Sequence, residues 1–205
     1  MGTAGSTNES PPDWDALFEV AQGQQGYFTT AQAASVGYSP QLLHKYLRNG
    51  TVTRVRRGVY RLVHFPADQE GDIVPLWLWS ERVGAFSHET ALALQDLSDA
   101  LPSRVHMTVP EAWRHRRLKV PEGLVLHYAD LDDSELRHAA VVPFTTPKRS
   151  IDDCIADQLA PDLVHQAVVQ ASQRGLISRD EEVELLAAIP VISNATNHGS
   201  PRVPL

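Results

Sequence analysis

The stretch PKRSIDD, residues 147–153, places Lys148 and Arg149 ahead of Asp152 and Asp153. Those residue types suit phosphate chemistry. The sequence predicts that Pro147 opens a helix after a strand. Cations at a helix N-terminus oppose the macrodipole, and with the free N–H groups there they make an anion site. The two carboxylates could hold Mg²⁺, which takes one or two carboxylates plus phosphate oxygens. The plainer alternative, and the favoured one, pairs Arg149 with Asp152 or Asp153 inside the domain.

A second pattern lies in YSPQLLHKYLRNGTVTRVRRGVYRL, residues 38–62. The whole chain holds 18 basic against 25 acidic residues, a net charge of −7. This window nevertheless carries Lys45, Arg48, Arg54, Arg56, Arg57 and Arg61 and no acid. A net negative chain does not coat nucleic acid uniformly. A local basic site is still effective, because screening confines electrostatics to about 10 Å at ordinary salt. Ser39 reads as an N-cap with Pro40 at the first helical position, and at that helix start it is also a DNA-binding candidate. The helix that follows sets Leu42, Leu43, Tyr46 and Leu47 on an apolar face, leaving Gln41, His44, Lys45 and Arg48 outward. Gln suits adenine, and Arg or Lys suits guanine, in a major groove. The hairpin after Asn49-Gly50 carries Arg54, Arg56, Arg57 and Arg61, better suited to phosphate or minor-groove contact. A solvated basic face is the alternative. The missing acids favour double-stranded DNA, since one-sign windows repel themselves unless a partner neutralises them.

A third group comprises Arg104, His106, Arg114, Arg116, Arg117 and Lys119. It reads equally as a solvated connection or as a surface for phosphate or a protein partner. The nine histidines show no ligand spacing along the chain, and no metal site is expected. His88, in SHETAL, reads as a capping residue. Cys154 on an apolar helix face reads as core, as do Trp77, Trp79 and Trp113 (or as interface). A lone cysteine suits a reducing compartment. There is no apolar run of membrane-spanning length and no signal-peptide pattern, so a cytoplasmic protein without a membrane partner is expected.

These groups need elements to hold them. Residues 13–64 predict helix, helix, turn, helix and hairpin, the order of a winged helix-turn-helix. Residues 70–190 predict a mixed α/β domain. Its helices run over 72–81, 87–97, 147–159, 161–174 and 178–188, and its strands over 104–109, 124–128 and 140–144. Residues 1–12 and 191–205 read as flexible tails, and residues 66–69 as a linker. The expected class is α+β: an N-terminal winged helix-turn-helix followed by a C-terminal domain with a small sheet and terminal helices.

Three phrases, FTTAQAASVGYSPQLLHKYLRNGTVTRVRRGVYRL, FSHETALALQDLSDALPSRVHMTVP and VVPFTTPKRSIDDCI, occur in this order. In order and spacing the chain resembles the AbiEi family of antitoxins of bacterial type IV toxin–antitoxin systems, over residues 13–189. The resemblance implies a winged helix that binds and represses its own promoter, with no cofactor for DNA binding. It also implies a C-terminal domain that counters a cognate nucleotidyltransferase toxin, without a stable complex. Neutralisation then acts through the toxin's target or by changing the toxin chemically. Phosphorylation by an atypical serine/threonine kinase, with ATP and Mg²⁺, is one such route. Lys148, Arg149, Asp152 and Asp153 would be its residues, with His106, Arg114 and Arg117 in reserve. No Gly-rich loop, HRD or DFG motif accompanies them. Direct masking of the toxin is a further alternative.

Overall fold

A computed structural model describes residues 11–66 and 73–190. Expectations for residues 1–10, 67–72 and 191–205 lie outside these residues.

The chain begins with α1 (Trp14–Gln22), whose N-cap Asp13 accepts a hydrogen bond from the Ala16 amide at 3.0 Å. A capping box of Thr29 and Gln32 starts α2 (Thr30–Ser35). Ser39 and Pro40 start α3 (Pro40–Arg48) as their types demand, with Ser39 Oγ accepting from the Leu42 amide at 3.3 Å. Strands β2 (Val52–Arg56) and β3 (Val59–Leu62) form the predicted hairpin. Gly58, at φ +77°, supplies the left-handed conformation its two-residue turn needs. A short strand not anticipated from the sequence, β1 (Tyr27–Thr29), pairs antiparallel with β3, giving the order β1-β3-β2. This is a winged helix-turn-helix. Leu17, Phe28, Tyr38, Leu43, Val52 and Leu62 fill its core. On α3 only Leu43 is fully buried. Its truncation to alanine would cost roughly 2–5 kcal/mol.

After α4 (Val74–Trp79) the chain builds a five-stranded sheet of order β6-β5-β4-β8-β7. The strands are β4 (Ala85–Phe86), β5 (Val105–Val109), β6 (Leu124–Tyr128), β7 (Leu136–Ala139) and β8 (Val142–Thr145). β5 runs parallel to β6, and β4 parallel to β8; the pairs β4–β5 and β7–β8 are antiparallel. Helices α5 (His88–Leu94), α6 (Pro147–Ala156), α7 (Pro161–Gln173) and α8 (Arg179–Ala188) complete the domain. Leu92, Leu97, Ile151, Cys154, Val168 and Leu185 form their shared core. Cys154 is 1% exposed, and burial pushes its thiol above the ordinary range, so it is packing rather than nucleophile.

Several predicted bounds shift. The helix expected to reach residue 97 stops at Leu94, because Asp96 and Ser98 adopt φ of 50° and 74°. The helix expected over 72–81 covers only Val74–Trp79 among the described residues. The strand expected from residue 140 starts at Val142, because Ala140 (φ 49°) turns the β7–β8 hairpin. The winged helix and the rest of the chain share a core. Tyr27 and Val59 belong to the same buried cluster as Leu76, Phe86, Met107 and Phe144.

Candidate functional site

On α3 the structure places Gln41, His44, Lys45 and Arg48 exposed, as the apolar periodicity implies. The other face is anchored by aromatic contacts: Tyr46 stacks on Trp14 at 5.7 Å and meets Tyr38 edge-on at 5.5 Å. Ser39 is occupied with capping. At the wing, Arg54 and Arg57 are exposed and Arg56 half-buried. The wing tip is tied down, since the Thr30 amide donates to the Gly58 carbonyl at 2.9 Å. Arg61 is different. Its Nη2 donates to the carbonyls of Phe65 and Pro66 at 2.9 and 2.8 Å, and its guanidinium lies 5.5 Å from the Tyr27 ring centre. It closes the segment after the hairpin.

The third basic group divides. Arg114 makes a two-pronged bond to Glu111 at 2.6 and 3.0 Å. Arg116 lies over Trp113 at 4.2 Å and reaches Glu81 at 3.4 Å. Arg104 is exposed. Arg117 and Lys119 instead line a cleft of about 540 Å³ together with Arg56 and Arg57 of the wing. Trp79 and Trp113 wall this cleft. Four cations from two regions of the chain thus share one cleft, which Glu81 and Glu122 also line.

The residues of PKRSIDD are engaged with one another. Lys148 Nζ bonds Asp152 at 2.9 Å and Glu184 at 3.3 Å. Arg149 Nε bonds Asp153 at 2.8 Å, and its Nη1 bonds Glu135 at 2.7 Å. The i,i+4 spacing on α6 produces both intrahelical pairs. Asp153 is only 12% exposed. Burial raises its carboxyl pKa, against the lowering effect of Arg149.

Beside Asp153 lies a feature that linear spacing does not show. His88, His106 and His127 come together, one ring nitrogen from each lying within 4.8 Å of the others. His106 Nδ1 and His127 Nε2 are 3.0 Å apart, and the His88 and His127 rings stack with centres 3.5 Å apart. Pairing of β5 with β6 sets Thr108 opposite His127 and His106 opposite Val125. The two histidines are therefore diagonal neighbours on one face, where long side chains meet. His88 begins α5 at φ 54°, a conformation uncommon for a non-glycine residue. It does not cap that helix, the role expected from SHETAL. Its Nδ1 lies 2.9 Å from Ser87 Oγ, which accepts from Thr108 Oγ1 at 2.8 Å. Asp157 Oδ2 stands 3.5 Å from His88 Nε2 and 3.9 Å from His127 Nδ1. Burial lowers His88 and His127 to a pKa of about 4 and lowers His106 as well, keeping all three neutral near pH 7. His88, His127, Arg114, Tyr128, Arg149 and Asp153 line a cleft of about 350 Å³.

Residues 15–63 match the family model described as transcriptional regulator, AbiEi antitoxin. The match spans α1 through the wing. No curated protein matches the chain. Among solved structures, the RV2827C protein from Mycobacterium tuberculosis is similar at 16% identity and a TM-score of 0.44. The alignment covers 90% of this chain and 84% of that one.

Proposed function

We propose that this chain, matched over residues 15–63 to AbiEi antitoxin regulators, is a cytoplasmic antitoxin that represses its own operon. The winged helix binds promoter DNA, and the C-terminal domain counters a cognate nucleotidyltransferase toxin of a type IV system through transient contact. The observation that carries the reading is the exposed polar face of α3, Gln41, His44, Lys45 and Arg48, beside a wing bearing Arg54 and Arg57. In that arrangement α3 reads base edges and the wing grips phosphate. Arg117 and Lys119 share the wing's cleft with Arg56 and Arg57, although Glu81 and Glu122 line it too. The mutual pairing of Lys148, Arg149, Asp152 and Asp153 favours a binding role for that domain over phosphoryl transfer.

The test is anisotropy titration of promoter DNA with the full chain at several salt concentrations. Arg56→Ala with Arg57→Ala weakens binding and flattens the log–log salt slope by about 2, each lost phosphate contact removing about 0.9. Gln41→Ala or Lys45→Ala instead relaxes sequence preference. An unchanged slope in the double variant refutes the wing assignment. Toxin incubated with the full chain and Mg-ATP should show no mass gain. A phosphate-sized gain would establish the kinase alternative.

A further inference from the structure

We propose that His88, His106 and His127 form a site for one divalent transition-metal ion, with Zn²⁺ as the reference ion. Three observations carry this. First, imidazole is a preferred ligand for zinc and its neighbours, and three histidines plus one further ligand is an established tetrahedral set. Zn–N bonds of about 2.0–2.1 Å put the donors of a tetrahedron about 3.3 Å apart. His106 Nδ1 and His127 Nε2 are at 3.0 Å, and a donor of His88 lies within 4.8 Å of the other two.

Second, an outer partner is in place for His88, and a carboxylate stands near His127. A ligating histidine directs its other nitrogen to a carboxylate or another polar group, which fixes tautomer and ring orientation. His88 Nδ1 lies 2.9 Å from Ser87 Oγ, itself held by Thr108, while Asp157 Oδ2 stands 3.9 Å from His127 Nδ1, beyond hydrogen-bond range, and 3.5 Å from His88 Nε2. This leaves Nε2 of both rings for the ion.

Third, His88 holds a left-handed backbone at φ 54° at the start of α5. Such a conformation persists only where its surroundings enforce it, and it is common at ligand sites. The cleft lined by His88 and His127 gives an entry path and room for a water as fourth ligand. One movement follows. A lone pair lies in its ring plane, so two parallel rings stacked at 3.5 Å cannot both aim at one ion. Binding therefore turns the His88 ring out of its stack on His127.

The experiment strips the full-length chain with a chelator, titrates it with Zn²⁺ by calorimetry, and follows Co²⁺ by visible absorption. One equivalent should bind, with the ligand-field bands of a low-coordinate nitrogen site. His127→Gln and His106→Gln should each weaken binding about 100-fold or more, and Asp157→Asn about 10-fold as an outer partner. His165→Gln, outside the cluster, should leave it unchanged. X-ray absorption on the zinc-loaded wild type should count three imidazoles, a readout independent of how the variants fold. No uptake by the stripped wild type, uptake unaffected by both His127→Gln and His106→Gln, or fewer than three imidazoles at zinc would each overturn the proposal. Promoter binding is measured in parallel on the same samples, so failure of the metal site and failure of the regulatory reading remain distinguishable.

Discussion

Replacing Arg149 with Met separates a structural from a ligand-binding role for the charged start of α6. Arg149 joins α6 to the start of β7 by bonds of 2.8 Å to Asp153 and 2.7 Å to Glu135. The three side chains are 26%, 12% and 31% exposed. Glu135 keeps another donor, the Asp132 amide at 3.0 Å, and reaches solvent, so it tolerates the loss. Asp153 does not. Its Oδ2 is buried without a hydrogen-bond partner, and without Arg149 its charge would be uncompensated. Breaking a buried pair from one side costs roughly 3–5 kcal/mol. Partial exposure of Arg149 sets the expectation at the low end, about 3 kcal/mol. Asp153→Asn should cost about 1–2 kcal/mol, because the cation keeps Glu135. The double variant should fall short of the sum by about 2 kcal/mol, a coupling typical of contacting residues. The assay is urea unfolding of metal-free protein for all four members of the cycle. The Arg149→Met deficit should narrow on acidification, because folded Asp153 binds its proton more readily than the unfolded chain does. Additivity within 0.5 kcal/mol, or an Arg149→Met variant of full stability that loses toxin neutralisation, would refute the structural role.

Arg61→Ala should lower stability by about 1–2 kcal/mol, since two carbonyls lose a charged donor, and should barely change the salt slope of DNA binding; a slope change equal to that of an Arg57→Ala variant would contradict the internal role. Gly26→Ala should destabilise by roughly 2–4 kcal/mol, because Gly26 has φ +86° and an added Cβ would come within 2.6 Å of the Phe65 ring; an unshifted melting temperature would refute that. For metal-free protein, His88 and His127 have folded pKa values of about 4 against an ordinary 6.5. Stability is then fully present above pH 6.5 and lost as pH falls toward 4, by on the order of 3 kcal/mol for each ring at most, less for the more exposed His127. His127→Gln should flatten this dependence in a pH series of unfolding curves, and an unchanged profile would count against burial as its cause.

What was legible in the sequence follows range of interaction. The cap of α3 was readable because Ser39, Pro40 and the apolar spacing act within a few residues. The pairing of Arg149 with Asp153 was readable for the same reason, being one helical turn apart. The strands β1, β4 and β7 were not, since two to four residues have no period to detect and owe their form to partners far along the chain. The internal bonds of Arg61 have no such signature, because its acceptors are carbonyls, which no side-chain pattern reveals. The histidine cluster is the clearest case. His88, His106 and His127 stand on α5, β5 and β6, and neither spacing between them fits a metal motif. The signal was the alternation His106-Met107-Thr108 on one strand, polar on one face, and a single polar residue, His127, on the matching face of the next. Only the parallel register, Thr108 opposite His127, turns that pattern into a contact. A one-residue slip would send His127 to the opposite face of the sheet. Strand register in the C-terminal domain therefore determines whether a metal site exists at all, and a substitution that disturbs β6, even one distant from the rings, should abolish zinc uptake while leaving the winged helix able to bind DNA.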